Sequence, residues 1–211
     1  MGNPLVLTLI RHGLTQYNDE KRYLGWLDLP LSEKGKKQLE KSRFASSKTK
    51  PALLITSDLK RTIETANILF PTQPCISLSK LREFHFGEWE GKTYELLKEE
   101  PLYQKWLMDY QTISPPKGET FQDFSERTNE AFIEVLNLAE KNNVTDITVV
   151  CHGGVIRQWL TEFAPRKQSF NEWLVPIHSR FQLEGNIDDL RRGLTFTSLL
   201  EEPIMAKIDG H

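Results

Sequence analysis

Only two cysteines, Cys75 and Cys151, occur in the 211 residues. That is too few for a disulfide framework, so the core must hold the fold. No apolar run approaches the roughly 20 residues needed to cross a bilayer. The opening MGNPLVLTLI lacks the charged region and cleavage site of a secretory signal. It begins Met-Gly, but Val6 stands where a myristoylation signal has Ser or Thr. An excess of one charge is missing too. The chain has 27 Lys and Arg against 29 Asp and Glu, a formal net charge of -2, which makes no electrostatic case for nucleic acid or an anionic membrane. The most basic window, Lys34 to Lys50, reads as a solvated helix face. P-loop, dinucleotide-binding, G-x-S-x-G and HExxH patterns are all absent, which speaks against a nucleotide kinase, a dinucleotide enzyme, an elbow-type serine hydrolase and a zincin. These absences point to a cytoplasmic protein with reduced thiols and no cofactor. They leave its oligomeric state open.

What is present has an alternating order. Apolar residues make up 38% of the chain, enough for a sizeable core. Three short, non-alternating apolar runs, at 5–10, 52–57 and 146–150, read as strands buried on both faces. Amphipathic stretches between and after them predict helices at 32–46 behind Ser32, at 59–69 behind an Asp58 cap, at 121–141 and at 154–163. TFQD, at 120–123, has the form of a capping box. Two weaker strands are expected near 180–185 and 194–200. The stretch 84–118, broken by SPPKG, reads as an irregular, lid-like insertion with short helical pieces. The expected fold class is α/β: a single domain over 1–211 built as a three-layer α/β/α sandwich with a mostly parallel sheet.

All three buried runs end in polar residues. The first runs into Arg11-His12-Gly13, the second into Asp58 and Arg61, the third into Cys151-His152-Gly153-Gly154. Ligands of open α/β sheets bind beyond the carboxyl ends of the strands. If the three strands are neighbours, Arg11, His12, Arg61 and His152 share one crevice. Two of these endings also open a helix, whose N-terminal dipole end suits an anion. Zinc is the rival ligand, but two arginines in the cluster would repel a cation. Arginine forks match phosphate oxygens. A second rival lies in VVCHGGVIR, 149–157. The five residues between Cys151 and Arg157 match a cysteine phosphatase loop. Against it stands the other histidine-arginine pair at Arg11-His12. Cys151 is then a small apolar residue ending a strand, and Arg157 lies a turn inside the helix near its surface.

These stretches resemble the histidine phosphatase superfamily, also called the phosphoglycerate mutase-like family. LIRHGLTQYN is similar to its opening motif. GWLDLPLSEKG, TSDLKRTIETA, LREFHFGEWEG, PPKGETFQDFSER and VVCHGGVIR then resemble its later motifs in order. The resemblance implies that His12 is the nucleophile and becomes phosphohistidine. Arg11, Arg61 and His152 would hold the phosphoryl oxygens, Asn18 would add a hydrogen bond, and Gly153 would give the backbone room to turn there. Glu83 would protonate the leaving oxygen and then activate water. It lies in an apolar loop with Leu81, Phe84, Phe86 and Trp89, and competes for the role with Glu88 and Glu90. A neutral imidazole nucleophile is accessible, since an ordinary histidine has a pKa near 6.5. The two arginines and His152 can cover the phosphoryl charge without a metal. Leu14 departs from the family, which usually has Glu or Gln there, so polarity near the nucleophile differs. His85 reads as solvated, with lining the pocket as the alternative, and His178 and His211 read as surface residues. The five tryptophans, 26, 89, 106, 159 and 173, read as core or rim.

The implied activity is a metal-independent phosphomonoesterase acting on small phosphorylated metabolites. The alternatives are a cofactor-dependent phosphoglycerate mutase, a ribazole-phosphate phosphatase, and a non-catalytic binding module.

Overall fold

The three apolar runs become three adjacent parallel strands. The computed structural model describes residues 3–46, 50–177 and 179–203, so His178 and His211 lie outside the described residues. In chain order the elements are β1 (Pro4–Arg11), α1 (Gln16–Asp19), α2 (Glu33–Ser46), β2 (Leu53–Thr56), α3 (Lys60–Leu69) and β3 (Cys75–Ser77). Then come α4 (Tyr94–Leu97), α5 (Pro101–Met108), α6 (Phe121–Asn142), β4 (Asp146–Cys151), α7 (Gly153–Phe163), β5 (Ser179–Asn186), α8 (Ile187–Arg191) and β6 (Ser198–Pro203). The six-stranded sheet has the order β3-β2-β4-β1-β5-β6. Every pairing from β3 to β1 is parallel, while β5 is antiparallel to both its neighbours. The fold is thus the expected α/β type, with one reversed strand.

Successive side chains of a strand point to opposite faces, and here both faces are covered. Leu5, Leu7 and Leu9 of β1, with Ile147 and Val149 of β4, join a core that includes Phe132 and Leu136 of α6 and Ile156 and Leu160 of α7. Ile10, Val150 and Leu54 join a second core with Leu39 of α2 and Ala66 and Leu69 of α3. The α6 helix starts at the anticipated capping box. Thr120 Oγ1 accepts the Asp123 N–H at 3.0 Å, and Asp123 reaches back to Thr120. Asn143 ends it in the left-handed region, φ 50°, which asparagine tolerates.

Four local expectations change. Asp58 does not cap α3; it forms a bidentate pair with Arg82 at 2.8 and 2.6 Å. The cap comes instead from Asp28, whose Oδ1 accepts the Lys60 N–H at 2.7 Å. The last strand lies at Ser198–Pro203 rather than 194–200, because Phe196 is drawn into the core beside α7, its N–H bonded to the Phe163 carbonyl. β3 and α8 were not foreseen, since three and five residues are too short to show a period. Trp89 does not pack around Glu83 but forms a separate cluster with Leu97 and Tyr103 of the 84–118 stretch.

That stretch is closed at its neck by Gly87. This residue has φ +54°, and a Cβ there would sit 2.1 Å from the Pro116 carbonyl. Only glycine fits both demands. The neighbouring N–H of Glu88 donates to that same carbonyl at 2.9 Å.

Candidate active site

Parallel register brings the polar endings together. Arg11 pairs with Cys151, and Thr56 with Val150. The ladder continues one step past the strands: the His12 N–H donates to the Cys151 carbonyl at 3.0 Å and the Ser57 N–H to that of Val150 at 3.2 Å. His12 therefore leaves β1 beside His152 leaving β4. Their rings meet edge to face with centroids 5.2 Å apart.

Both histidines are buried. His12 Nδ1 lies 2.8 Å from the Gly13 carbonyl. A carbonyl can only accept, so Nδ1 carries the proton and the lone pair falls on Nε2. The Gly13 N–H is itself fixed on Thr65 Oγ1 at 2.9 Å. His152 Nε2 bonds Ser57 Oγ at 2.8 Å, and its Nδ1 is buried without a partner. Burial, then the positive charge of Arg61, hold the His152 pKa well below its ordinary value. That favours the neutral imidazole, a hydrogen-bonding group rather than a source of positive charge.

The two guanidiniums are anchored by main-chain carbonyls. Arg11 Nη1 donates to Val175 at 2.5 Å. Arg61 Nη1 and Nη2 donate to Leu27 and Gly25 at 2.9 and 2.6 Å. The Nε of each is buried with no partner. Neither enters an ion pair among the described residues. Burial lowers the pKa of both, that of Arg61 to about 10, with Glu83 opposing the shift in each case. Both stay charged at neutral pH. Desolvating a cation is costly; Glu83 offsets part of that cost, and a bound anion would offset more.

Glu83 completes the cluster. Its two carboxylate oxygens accept the Gly154 N–H at 3.1 and 3.0 Å, and Oε1 also accepts the Phe84 N–H at 2.9 Å. The positive end of α7, expected to serve a ligand anion, is thus in contact with a protein carboxylate. A Cβ on Gly154 would sit 2.2 Å from Glu83 Oε1, and one on Gly153 3.3 Å from Arg11 Cζ. The two glycines let Glu83 and Arg11 approach α7.

The competing carboxylates are engaged elsewhere. Glu88 pairs with Lys117 at the surface. Glu90 accepts the N–H groups of Trp26 and Leu27 at 2.8 and 2.7 Å, on the loop whose carbonyls hold Arg61. Arg127 ties the Glu83 loop from behind. It donates to the carbonyls of Lys80 and Arg82 at 2.8 and 2.9 Å and pairs with Glu119 at 2.7 Å. The roles of Glu90, Arg127, Ser57 and the Val175 carbonyl were not legible, although Glu90, Arg127 and Ser57 lie inside the quoted motifs. Asn18 bonds back to the start of its own helix. Its Oδ1 accepts from Thr15 N and Oγ1 at 3.2 and 2.9 Å, which leaves the amide Nδ2 as its donor. Leu14 is half-buried, and its carbonyl accepts the Ser32 N–H at 2.9 Å.

Cys151 is fully buried, and burial pushes its thiol pKa far up, the opposite of what a thiolate nucleophile requires. Arg157 is not a surface residue of α7. It lines a cavity of about 320 Å3 together with Glu83, Gly154 and a set of aromatic rings. Among the described residues no cluster of three His, Cys, Asp or Glu is arranged to hold a metal, and no helix is long and apolar enough to cross a membrane.

Residues 7–179 match the model of the histidine phosphatase superfamily (branch 1). The adenosylcobalamin/alpha-ribazole phosphatase of Escherichia coli is 34% identical over 154 residues, 71% of this chain and 74% of the relative. The 2,3-bisphosphoglycerate-dependent phosphoglycerate mutase 2 of Gloeobacter violaceus is 29% identical over 199 residues, 88% and 90% of the two chains. Among solved structures, a putative alpha-ribazole-5'-P phosphatase from Escherichia coli superposes with a TM-score of 0.80 at 27% identity, over 99% of this chain and 100% of the other.

Proposed function

The chain belongs to the histidine phosphatase superfamily, and on that premise we propose that it is a metal-independent, cytoplasmic phosphomonoesterase of small phosphorylated metabolites. The observation that carries this reading is the pair of carbonyl-anchored guanidiniums whose charges reach His152, itself edge to face with a His12 imidazole whose Nδ1 proton is committed to Gly13. The His12 Nε2 lone pair attacks phosphorus. The P–Nε2 bond forms as the bond to the leaving oxygen breaks, and Glu83, entering the cycle as the carboxylic acid, gives that oxygen its proton. Water then attacks the phosphohistidine, Glu83 takes its proton, and inorganic phosphate departs. Arg11 and Arg61 stabilise the charge on the phosphoryl oxygens throughout. His152 and the Asn18 amide add hydrogen bonds, and the free space at Gly153 admits Arg11. The two arginines supply the charge that a metal would otherwise bring. We further propose that residues 1–211 act as one domain and that 84–118 covers the site.

The test compares wild type, His12→Ala and Cys151→Ser on p-nitrophenyl phosphate, with and without EDTA. Wild type and Cys151→Ser turn over in both conditions, and His12→Ala does not. Full activity in His12→Ala would overturn the reading, and loss with EDTA would restore a metal. A ribazole phosphate is an alternative specific substrate, supported by the likeness to a putative alpha-ribazole-5'-P phosphatase. A mutase would instead isomerise 3-phosphoglycerate in a bisphosphate-dependent way.

A further inference from the structure

The cavity beside Glu83 is larger and more aromatic than phosphate recognition requires. Its volume is about 320 Å3, whereas about 150 Å3 suffices for benzene. Glu83 and Gly154 form part of its wall, so it adjoins the carboxyl that would protonate a leaving oxygen. The remaining wall includes Phe84, Trp106, Tyr110, Phe121 and Phe170. These rings hold one another in place: Phe121 meets Tyr110 and Phe170 edge to face, with centroids 4.9 and 5.2 Å apart. Such a preformed surface favours a flat ring, which adds stacking or edge contacts to its burial.

One cation interrupts the aromatic wall. Arg157 follows Gly154 by three positions on α7, which puts both on one helix face. Its Nε donates to the Trp173 carbonyl at 3.1 Å, and its guanidinium lies 5.9 Å from the Phe170 ring centre. Both terminal nitrogens make no hydrogen bond among the described residues, whereas Arg11, Arg61 and Arg127 each commit a terminal nitrogen to carbonyls. A charged fork facing an apolar cavity calls for an acceptor from the ligand.

We propose that this cavity is a leaving-group subsite selecting monoesters whose alcohol carries a flat ring bearing a carboxylate or similar anionic group, read by Arg157. The inference rests on the phosphatase reading and deepens it.

The test uses alcohols of similar leaving ability: n-butyl phosphate, benzyl phosphate, and the 2-, 3- and 4-carboxybenzyl phosphates. For wild type, kcat/KM rises about tenfold from butyl to benzyl. It rises about tenfold again for at least one carboxybenzyl isomer. Arg157→Gln brings that second ratio toward one. Equal constants for butyl and benzyl in the wild type would overturn the ring preference, with no variant needed. An Arg157→Gln enzyme slowed equally on benzyl and carboxybenzyl esters would reduce Arg157 to a structural anchor of Trp173. Failure of the underlying reading looks different: no ester in the panel would be hydrolysed.

Discussion

In the proposed reaction, each polar atom of the site has a state set by a neighbour. Gly13 fixes the His12 tautomer, and burial keeps His152 neutral. The latter has a consequence for stability. The His152 pKa is lowered on folding, so below about pH 6.5 the unfolded chain binds the proton and the native one resists it. Stability is therefore lost as pH falls below 6.5, by up to about 1.4 kcal/mol per pH unit until the native pKa is reached. Urea midpoints at pH 7.5 and 5.5 check this, and His152→Gln should flatten the difference. Gly154→Ala is the second prediction at this scale. The added Cβ displaces Glu83, and kcat/KM, which reports the steps up to the phosphohistidine, falls by about 100-fold or more on an alkyl phosphate but far less on p-nitrophenyl phosphate, whose leaving group needs no proton. Equal losses on both esters would count against the acid role. His12, Arg11, Arg61 and His152 were legible because each follows an apolar run. Their anchors were not, because Val175, Gly25 and Leu27 contribute carbonyls, which no side-chain pattern encodes.

Loops form the next scale, and here one carboxylate acts through another residue. Glu90 holds the two N–H groups of a loop whose carbonyls hold Arg61, which makes it a positioning residue. Glu90→Gln keeps one acceptor, and should weaken competitive inhibition by inorganic phosphate about tenfold while the fold survives. In an Arg61→Gln background the same change should have little further effect, since coupled sites are not additive. Full additivity would show that Glu90 acts by another route. Arg127→Leu removes one partner of a largely buried ion pair and costs about 3 kcal/mol, readable as a shift in the urea midpoint. The main elements were visible from period and caps, as at Ser32 and Thr120. Asp58 shows where local pattern fails. It stands where a cap belongs, yet Arg82 offers it two charge-assisted bonds, and Asp28 caps α3 from 32 residues away. Tertiary partners outbid a local rule that sees only neighbours in sequence.

At the scale of the molecule, two desolvated arginines that Glu83 only partly offsets make the site a weak point of the fold. An anion that binds the native state alone stabilises it by mass action. Phosphate at about 100 times its dissociation constant should add about 2.7 kcal/mol and raise the melting temperature by roughly 5–10 °C. Equal ionic strength of sodium chloride should not. No rise at any phosphate concentration would remove the argument from buried charge. The layered α/β order was readable from three apolar runs alternating with helices, whereas the reversal of β5 was not, because strand direction leaves no mark on composition. That reversal also bears on how the protein is made. β1, which carries Arg11 and His12, pairs only with β4 and β5. At about 5–20 residues per second, a ribosome takes on the order of 10 s after completing β1 to deliver the first residue of β4. Of the six described strands β1 is made earliest yet is among the last to find its partners, so the segment carrying Arg11 and His12 leaves the ribosome as an unpaired apolar strand, and a nascent-chain chaperone that bound this protein would find its target there.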